Sequence, residues 1–258
     1  MKLTSLFTVS ALAAAMVSPT VIADTTSISP EQKVQIEKIV HDYLLSSPEV
    51  LMEASQALQA KQQLAQQTEA KSAITQNISD LLNEKLAVDG NPKGDVTVVE
   101  FFDYQCGHCK KMKPVIADVL AKNKNVRVVY KEFPIFGKTS EIASRAALAA
   151  GMQGKYMAMH DALLQLDKAV TKELVDETAK SLGLNVAKLQ SDMDSKAVTD
   201  EMDNNRKLAE KMHLMGTPAF VVLSTPAGVF KAGSETAFIP GGTSVEALQA
   251  LVTKAAGK

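Results

Sequence analysis

The only two cysteines of the chain, Cys106 and Cys109, flank Gly107 and His108. Two thiols at that spacing can close a disulfide and reopen it by exchange with a disulfide on another molecule, so thiol–disulfide chemistry is the first hypothesis. The thiolate is the attacking species. Whatever stabilises a sulfur anion therefore raises the reactive fraction and also makes the sulfur a better leaving group, which favours passing the disulfide to a client. Cys106 is the candidate nucleophile and Cys109 its resolving partner, with Cys106 expected to be the more exposed sulfur. His108 can add a ring N–H or a positive charge near Cys106, against the plainer role of a solvated turn residue. Gly107 lets the turn form without a side chain. Upstream, Glu100 is the one charge within an apolar run. If buried, it should hold its proton more tightly than an exposed carboxyl, which suits it to exchange a proton with Cys109.

The two cysteines have two other possible uses. A bridge across so short a loop restricts the unfolded chain little, so a stabilising staple is a poor reason for it. Soft metal binding would draw on Cys106, Cys109 and His108, completed by His41, His160 or His213. Adjacent His108 and Cys109 cannot easily point at one ion, and there is no second Cys-x-x-Cys. No metal and no cofactor are expected.

The elements that must position these residues are legible around them. Val96 to Phe102 is a run of β-branched and aromatic residues that fits a buried central strand. After the cysteines, Met112, Val115, Ile116, Val119 and Leu120 recur at helical spacing, with Lys110, Lys111 and Lys113 expected on the wet side. The cysteines thus stand at a helix N-terminus, where unpaired N–H groups and the helix dipole favour an anion. Pro114 falls inside that helix and should remove one hydrogen bond.

Glu100 to Pro114 resembles the active-site segment of the DsbA family, thiol–disulfide oxidoreductases of thioredoxin fold. The resemblance implies an α/β chain: a thioredoxin-like sheet with an inserted helical domain, preceded here by an N-terminal helical arm. It implies a cis peptide at Thr217-Pro218, where the Thr217 backbone would pair with an extended client and Pro218, lacking an N–H, would leave the sulfur approachable. The family often has proline at the position of Gly107, so Gly107-His108 is more similar to protein disulfide isomerase. That dipeptide goes with a potential of about −180 mV, less oxidising than the −120 mV or so of DsbA.

Taken in order, residues 1–23 read as a signal peptide, with Lys2 ahead of a small, apolar stretch and Val21-Ile22-Ala23 at the cleavage position. Export to the periplasm with cleavage after Ala23 is expected. The remainder carries 27 basic against 29 acidic residues, a net charge of −2, which gives no reason to expect nucleic acid or an anionic membrane as a partner.

Residues 24–88 read as a helical region with starts at Ser29-Pro30 and Ser47-Pro48. Its stripe of Ile36, Ile39, Val40, Tyr43 and Leu44 needs a surface. That surface is either the chain's own catalytic domain or a second copy, and the expectation is a homodimer, the arrangement some DsbA-like proteins reach through a similar extension.

Asp89-Gly90-Asn91-Pro92-Lys93-Gly94 reads as a linker, and residues 89–258 as the DsbA-like domain. Val126 to Phe133 should be a second strand parallel to the first. Residues 139–213 contain no convincing strand and form the helical insertion. A strand over Gly216 to Leu223 is expected to pair with Gly228-Val229-Phe230, leaving Ile239-Pro240-Gly241-Gly242 as a loop before a closing helix capped by Ser244. The resemblance further implies unfolded or misfolded secreted proteins as clients and a membrane redox partner, either a quinone-linked oxidase or a thiol reductase. A monomeric oxidase without isomerase activity, or a helical adaptor of a different class, are the alternatives.

Overall fold

The computed structural model describes residues 28–83, 86–234 and 236–257. The expected signal peptide and its cleavage site lie outside them. The chain divides into two compact units, one ending at Leu58 and the other beginning at Gln59.

In the first unit, helix α1 (Pro30–Ser46) opens with the expected signal. Ser29 Oγ accepts from the Gln32 amide, the Gln32 side chain accepts from the Ser29 amide, and Pro30 fills the first helical position. No residue of α1 is buried, and Ile36, Ile39, Val40 and Tyr43 remain exposed. The second start signal gives α2, a continuous helix from Glu49 to Gln76.

The second unit is built on a five-stranded sheet: β1 (Val88–Gly90), β2 (Val96–Phe102), β3 (Val126–Glu132), β4 (Ala219–Ser224) and β5 (Ala237–Pro240), in the order β1-β3-β2-β4-β5. β2 runs parallel to β3 and antiparallel to β4, and the outer pairs are antiparallel. Every residue of β2 is buried, because it lies at the centre with cover on both faces. Val96, Val98 and Phe102 face helix α4 (Gly107–Lys122), the insertion and α10 (Val245–Ala255). Val99 and Phe101 face the opposite core, with Leu208, Leu81 and Ile74.

That second core moves the expected domain boundary. Ile74, near the end of α2, and Leu81, in α3 (Ile78–Leu82), are both fully buried with Val99, Phe101 and Val129. The division accordingly falls at Leu58/Gln59 rather than at Asp89, and Val88–Gly90 forms an edge strand where a linker was expected. Ile74→Ala should therefore cost about 2–5 kcal/mol in urea unfolding of the full chain. Lys33→Ala, on exposed α1, should stay within about 0.5 kcal/mol.

The insertion between β3 and β4 comprises α5 (Lys138–Gly151), α6 (Tyr156–Leu164), α7 (Lys172–Ser181), α8 (Val186–Met193) and α9 (Lys196–Lys211). Thr171, Asn185 and Ser195 cap α7, α8 and α9 through their side-chain oxygens. Alanines 143, 146, 147, 149 and 150 of α5 are all buried, and their small side chains let α6 and α8 approach closely.

Two local expectations are corrected. The partner of β4 is β5, whereas Gly228-Val229-Phe230 lies outside any strand, with Val229 exposed. Ala227 and Gly228 both take positive φ, so the chain turns away from the ladder there. Pro240 ends β5 at the sheet edge, where its missing N–H costs no ladder bond. On α4, Lys110 and Lys113 are half-buried rather than wet. Lys110 Nζ donates to the Leu166 carbonyl, and Lys113 Nζ pairs with Asp161 Oδ1 at 2.8 Å, so both fasten the helix to the insertion.

Candidate active site

Cys106 is the N-cap of α4, in extended conformation, and its side chain makes no capping hydrogen bond. An N-cap side chain ordinarily supplies an oxygen to the first-turn amides, so here a sulfur stands where an anion is favoured. Its S–H donates to the Thr217 carbonyl at 3.3 Å, and the Thr217-Pro218 peptide is cis. Cys109, one turn in, is buried at 1% exposure; Cys106, beneath the Thr217 loop, is scarcely more open at 3%. The expected contrast in exposure is therefore small. Burial pushes the Cys109 thiol well above its ordinary range, with the Glu100 carboxyl adding to the effect.

Gly107 and His108 are exposed at the mouth of the helix. His108 makes no hydrogen bond or ion pair among the described residues, so any effect on Cys106 is through space. Gly107 has nothing within 4 Å of where a Cβ would stand, so space alone does not require glycine there.

Glu100 projects from the middle of β2 and is 3% exposed, which settles its facing. Burial raises its proton affinity strongly, followed by the nearby Cys106 and Glu132. It is thus a buried acid beneath the two sulfurs, as its place in the sequence suggested.

Four residues that carry this site have no motif of their own. Asp103, fully buried, accepts from the Gln105 amide and Ser140 Oγ through Oδ1, both at 2.7 Å. Its Oδ2 accepts from the amides of Ile135 (2.7 Å) and Phe136 (3.1 Å), and its carbonyl accepts from the Cys106 amide (3.1 Å). One carboxylate thus binds the cysteine turn to the loop after β3 and to the start of α5. The local sequence signal was an Asp at the head of the Tyr104-Gln105 turn, accepting from the amide two residues on, a common side-chain-to-backbone arrangement.

The other three are Tyr104, Glu132 and His160, all buried. Glu132 Oε1 accepts from the hydroxyls of Tyr104 (2.9 Å) and Tyr156 (2.7 Å), while Oε2 has no hydrogen-bond partner among the described residues. Tyr104 has one hydroxyl proton and gives it to Glu132. Its 3.1 Å contact with His160 Nδ1 is then an N–H donated by the imidazole, which assigns the neutral tautomer with the proton on Nδ1.

Burial shifts these two titrating groups in opposite senses: Glu132 is raised to about 8 from 4.5, and His160 is lowered to about 3 from 6.5. Stability from Glu132 is complete below 4.5 and is lost as pH rises through about 8, while that from His160 is complete above 6.5 and is lost as pH falls toward about 3. Their windows meet between 4.5 and 6.5. Thermal unfolding across pH should show E132Q flattening the alkaline limb and His160→Leu the acid limb.

Among the described residues no group of three or more His, Cys, Asp or Glu is placed to hold a metal ion. His160, one of the candidate ligands, lies instead among Phe102, Tyr130 and Tyr156. No helix of the described residues is long and apolar enough to cross a membrane.

Residues 97–253 match the family described as DSBA-like thioredoxin domain. The chain belongs to that family. Residues 32–65 match a second family, the copper resistance protein ScsC N-terminal domain. The thiol:disulfide interchange protein DsbA of Bordetella pertussis is 30% identical over 181 residues, covering 66% of this chain and 80% of that protein.

The Na(+)/H(+) antiporter NhaA 1 of Salinispora arenicola is 26% identical over 164 residues, but the chain spans only 25% of its length. Among solved structures, BcfH of Salmonella enterica Typhimurium superposes with a TM-score of 0.75 at 32% identity, over 88% of this chain and 97% of that one. A thioredoxin-like oxidoreductase from Silicibacter pomeroyi DSS-3 gives 0.62 at 39% identity, over 70% and 98%. The BcfH match extends over more of this chain than the DsbA-like domain alone.

Proposed function

We propose that this DsbA-like chain is an exported oxidoreductase that introduces disulfides into secreted proteins through the Cys106–Cys109 pair, and that it also rearranges wrong ones. The observation that carries the reading is the Cys106 sulfhydryl at the N-cap of α4, facing the Thr217 carbonyl, with buried Glu100 on the strand beneath. In the oxidising direction a client thiolate attacks the Cys106 sulfur of the closed pair. The Cys106–Cys109 bond breaks, and Cys109 leaves as a thiolate that takes a proton from Glu100. A second client thiolate then attacks its own sulfur in the mixed disulfide. The client closes its disulfide, and Cys106 departs as a thiolate at the helix N-terminus. The two electrons taken from the client remain on the reduced pair. Thr217 pairs with the client backbone during these steps, and Pro218 leaves the approach to the sulfur clear.

Oxidation of a reduced, multiply bridged client tests the first half, and recovery of activity from scrambled client tests the second. Oxidation without recovery would remove the isomerase role and leave a disulfide oxidase. A membrane redox partner, either a quinone-linked oxidase or a thiol reductase, completes the cycle. The fraction of Cys106–Cys109 oxidised in cells distinguishes the two, high with the oxidase and low with the reductase. Export to the periplasm predicts a mature N-terminus at Asp24, read directly by mass spectrometry.

Self-association through the N-terminal helices is the second part of the reading. It is supported by the exposed stripe of Ile36, Ile39, Val40 and Tyr43 on a helix with no buried residue, and by the ScsC N-terminal match over the same stretch. A homodimer is the simplest closed form. Sedimentation should show more than one copy for the full mature chain and a single copy for Ile39→Glu. A wild-type chain sedimenting as a monomer would end the idea.

A further inference from the structure

The mechanism above uses Glu100 and leaves a second buried carboxyl, Glu132, unexplained. The sheet puts the two close. Glu100 is opposite Tyr130 across the parallel pair of β2 and β3, and Glu132 is two residues further along β3, opposite Phe102. Side chains two apart on a strand project from the same face. Glu100 and Glu132 thus both enter the core that holds the cysteines, a diagonal step apart.

Their surroundings differ in one decisive respect. Glu132 Oε1 accepts two tyrosine hydroxyls, whereas Glu100 accepts no hydrogen bond among the described residues. Hydrogen bonds donated to a carboxylate favour its charged form, so of the pair Glu132 is the first to ionise and Glu100 the one that retains a proton.

We propose that Glu132 is a positioning residue for the proton of Glu100: held by Tyr104 and Tyr156, it ionises first of the two as pH rises, and its charge then keeps the remaining proton on Glu100 until the Cys109 thiolate takes it. The inference rests on the oxidising reaction proposed above. The proton passes from the Glu100 carboxyl to the Cys109 sulfur as the Cys106–Cys109 bond breaks. Where Glu132 has already ionised, Glu100 is left as a second carboxylate beside it, an arrangement the like charges disfavour and that protonation from solvent relieves.

The other titratable groups facing the pair are Tyr104 and Asp103 from the turn, Tyr130 from β3 and Tyr156 and His160 from α6. Cys106 and Cys109 face it from α4, and the Lys113–Asp161 ion pair lies at the junction of α4 with α6. Tyr104, Tyr130 and the neutral imidazole stay uncharged over the range in which Glu132 ionises, and Lys113 is offset by Asp161. Glu132 therefore remains the variable charge nearest Glu100 on the sheet.

The test is carbon-13 titration of the glutamate carboxyls in the reduced full chain, with Glu100 assigned by its loss in E100Q. In E132Q the Glu100 midpoint should fall by about one unit or more, the size expected of a buried carboxylate at a diagonal position on the neighbouring strand. Tyr156→Phe removes one hydroxyl donor without changing the volume of the core. It should make Glu132 harder to ionise and lower the Glu100 midpoint by a smaller amount, and it decides the matter alone if E132Q does not fold. In E132Q the alkaline limb of client oxidation should move with the midpoint, which lost packing alone would not produce. An unmoved Glu100 midpoint in E132Q, or in Tyr156→Phe where E132Q is unfolded, overturns the inference and leaves the exchange chemistry intact. A wild-type chain that does not oxidise clients would instead overturn the reaction, whatever the titration gave.

Discussion

Asp103→Ala is expected to cost about 3–5 kcal/mol of folding stability, among the largest effects of any single substitution outside the cysteines. The reason is the number of donors it leaves behind. The amides of Gln105, Ile135 and Phe136 and the Ser140 hydroxyl all point at this one carboxylate, which is itself fully buried. A buried donor without a partner costs roughly 1–3 kcal/mol, and partial relaxation keeps the total below the sum of four. The loss should be visible as a lower midpoint in urea unfolding. Because the Asp103 carbonyl also accepts from the Cys106 amide, a surviving Asp103→Ala chain should exchange disulfides more slowly at unchanged cysteine content. Equal stability to wild type would show that this carboxylate does not organise the turn.

Glu100→Gln is the second. It preserves shape and removes the proton that the departing Cys109 thiolate is to receive. General acid catalysis contributes about 10²–10⁴-fold, so client oxidation at neutral pH should slow by at least the lower figure. Burial holds the Cys109 thiol well above its ordinary range, so an unprotonated Cys109 is an unfavourable product and the donor matters. Stability should move the other way. A raised acid contributes stability below its unfolded value and loses it as pH rises, so E100Q should be more stable than wild type in alkaline solution. A chain that kept full speed in E100Q would remove Glu100 from the reaction.

The reach of the sequence differed between the site and its surroundings for physical reasons. Cys106, Cys109 and Glu100 were legible because each violates a local expectation: paired thiols too close to serve as a staple, and a charge in a strand otherwise fit for burial. Strands β2 and β3 and most helix starts were legible for a similar reason, since caps such as Ser29, Thr171 and Asn185 announce themselves locally. The Asp103 web and the Tyr104–Glu132–His160 chain were not. Their meaning arises only when segments 28 to 56 residues apart meet, and each member alone looks like an ordinary polar residue. The β5 strand was missed because Pro240 and the two glycines after it read as a loop, and only the sheet edge makes a proline harmless there. Likewise Ile74 and Leu81 read as an arm stripe, but they join Leu208 and Ala209 of α9 in covering the second face of β2 and β3.

The whole account depends on Cys106 being the sulfur that meets the client. Cys109→Ala removes the resolving thiol, so Cys106 should attack a client disulfide and remain joined to it. Mass spectrometry of the adduct, before and after reduction, reads this directly. The account predicts a reducible one-to-one adduct on the peptide carrying Cys106, and none in Cys106→Ala. An adduct forming through Cys109 in Cys106→Ala, or continued client exchange by that variant, would contradict it.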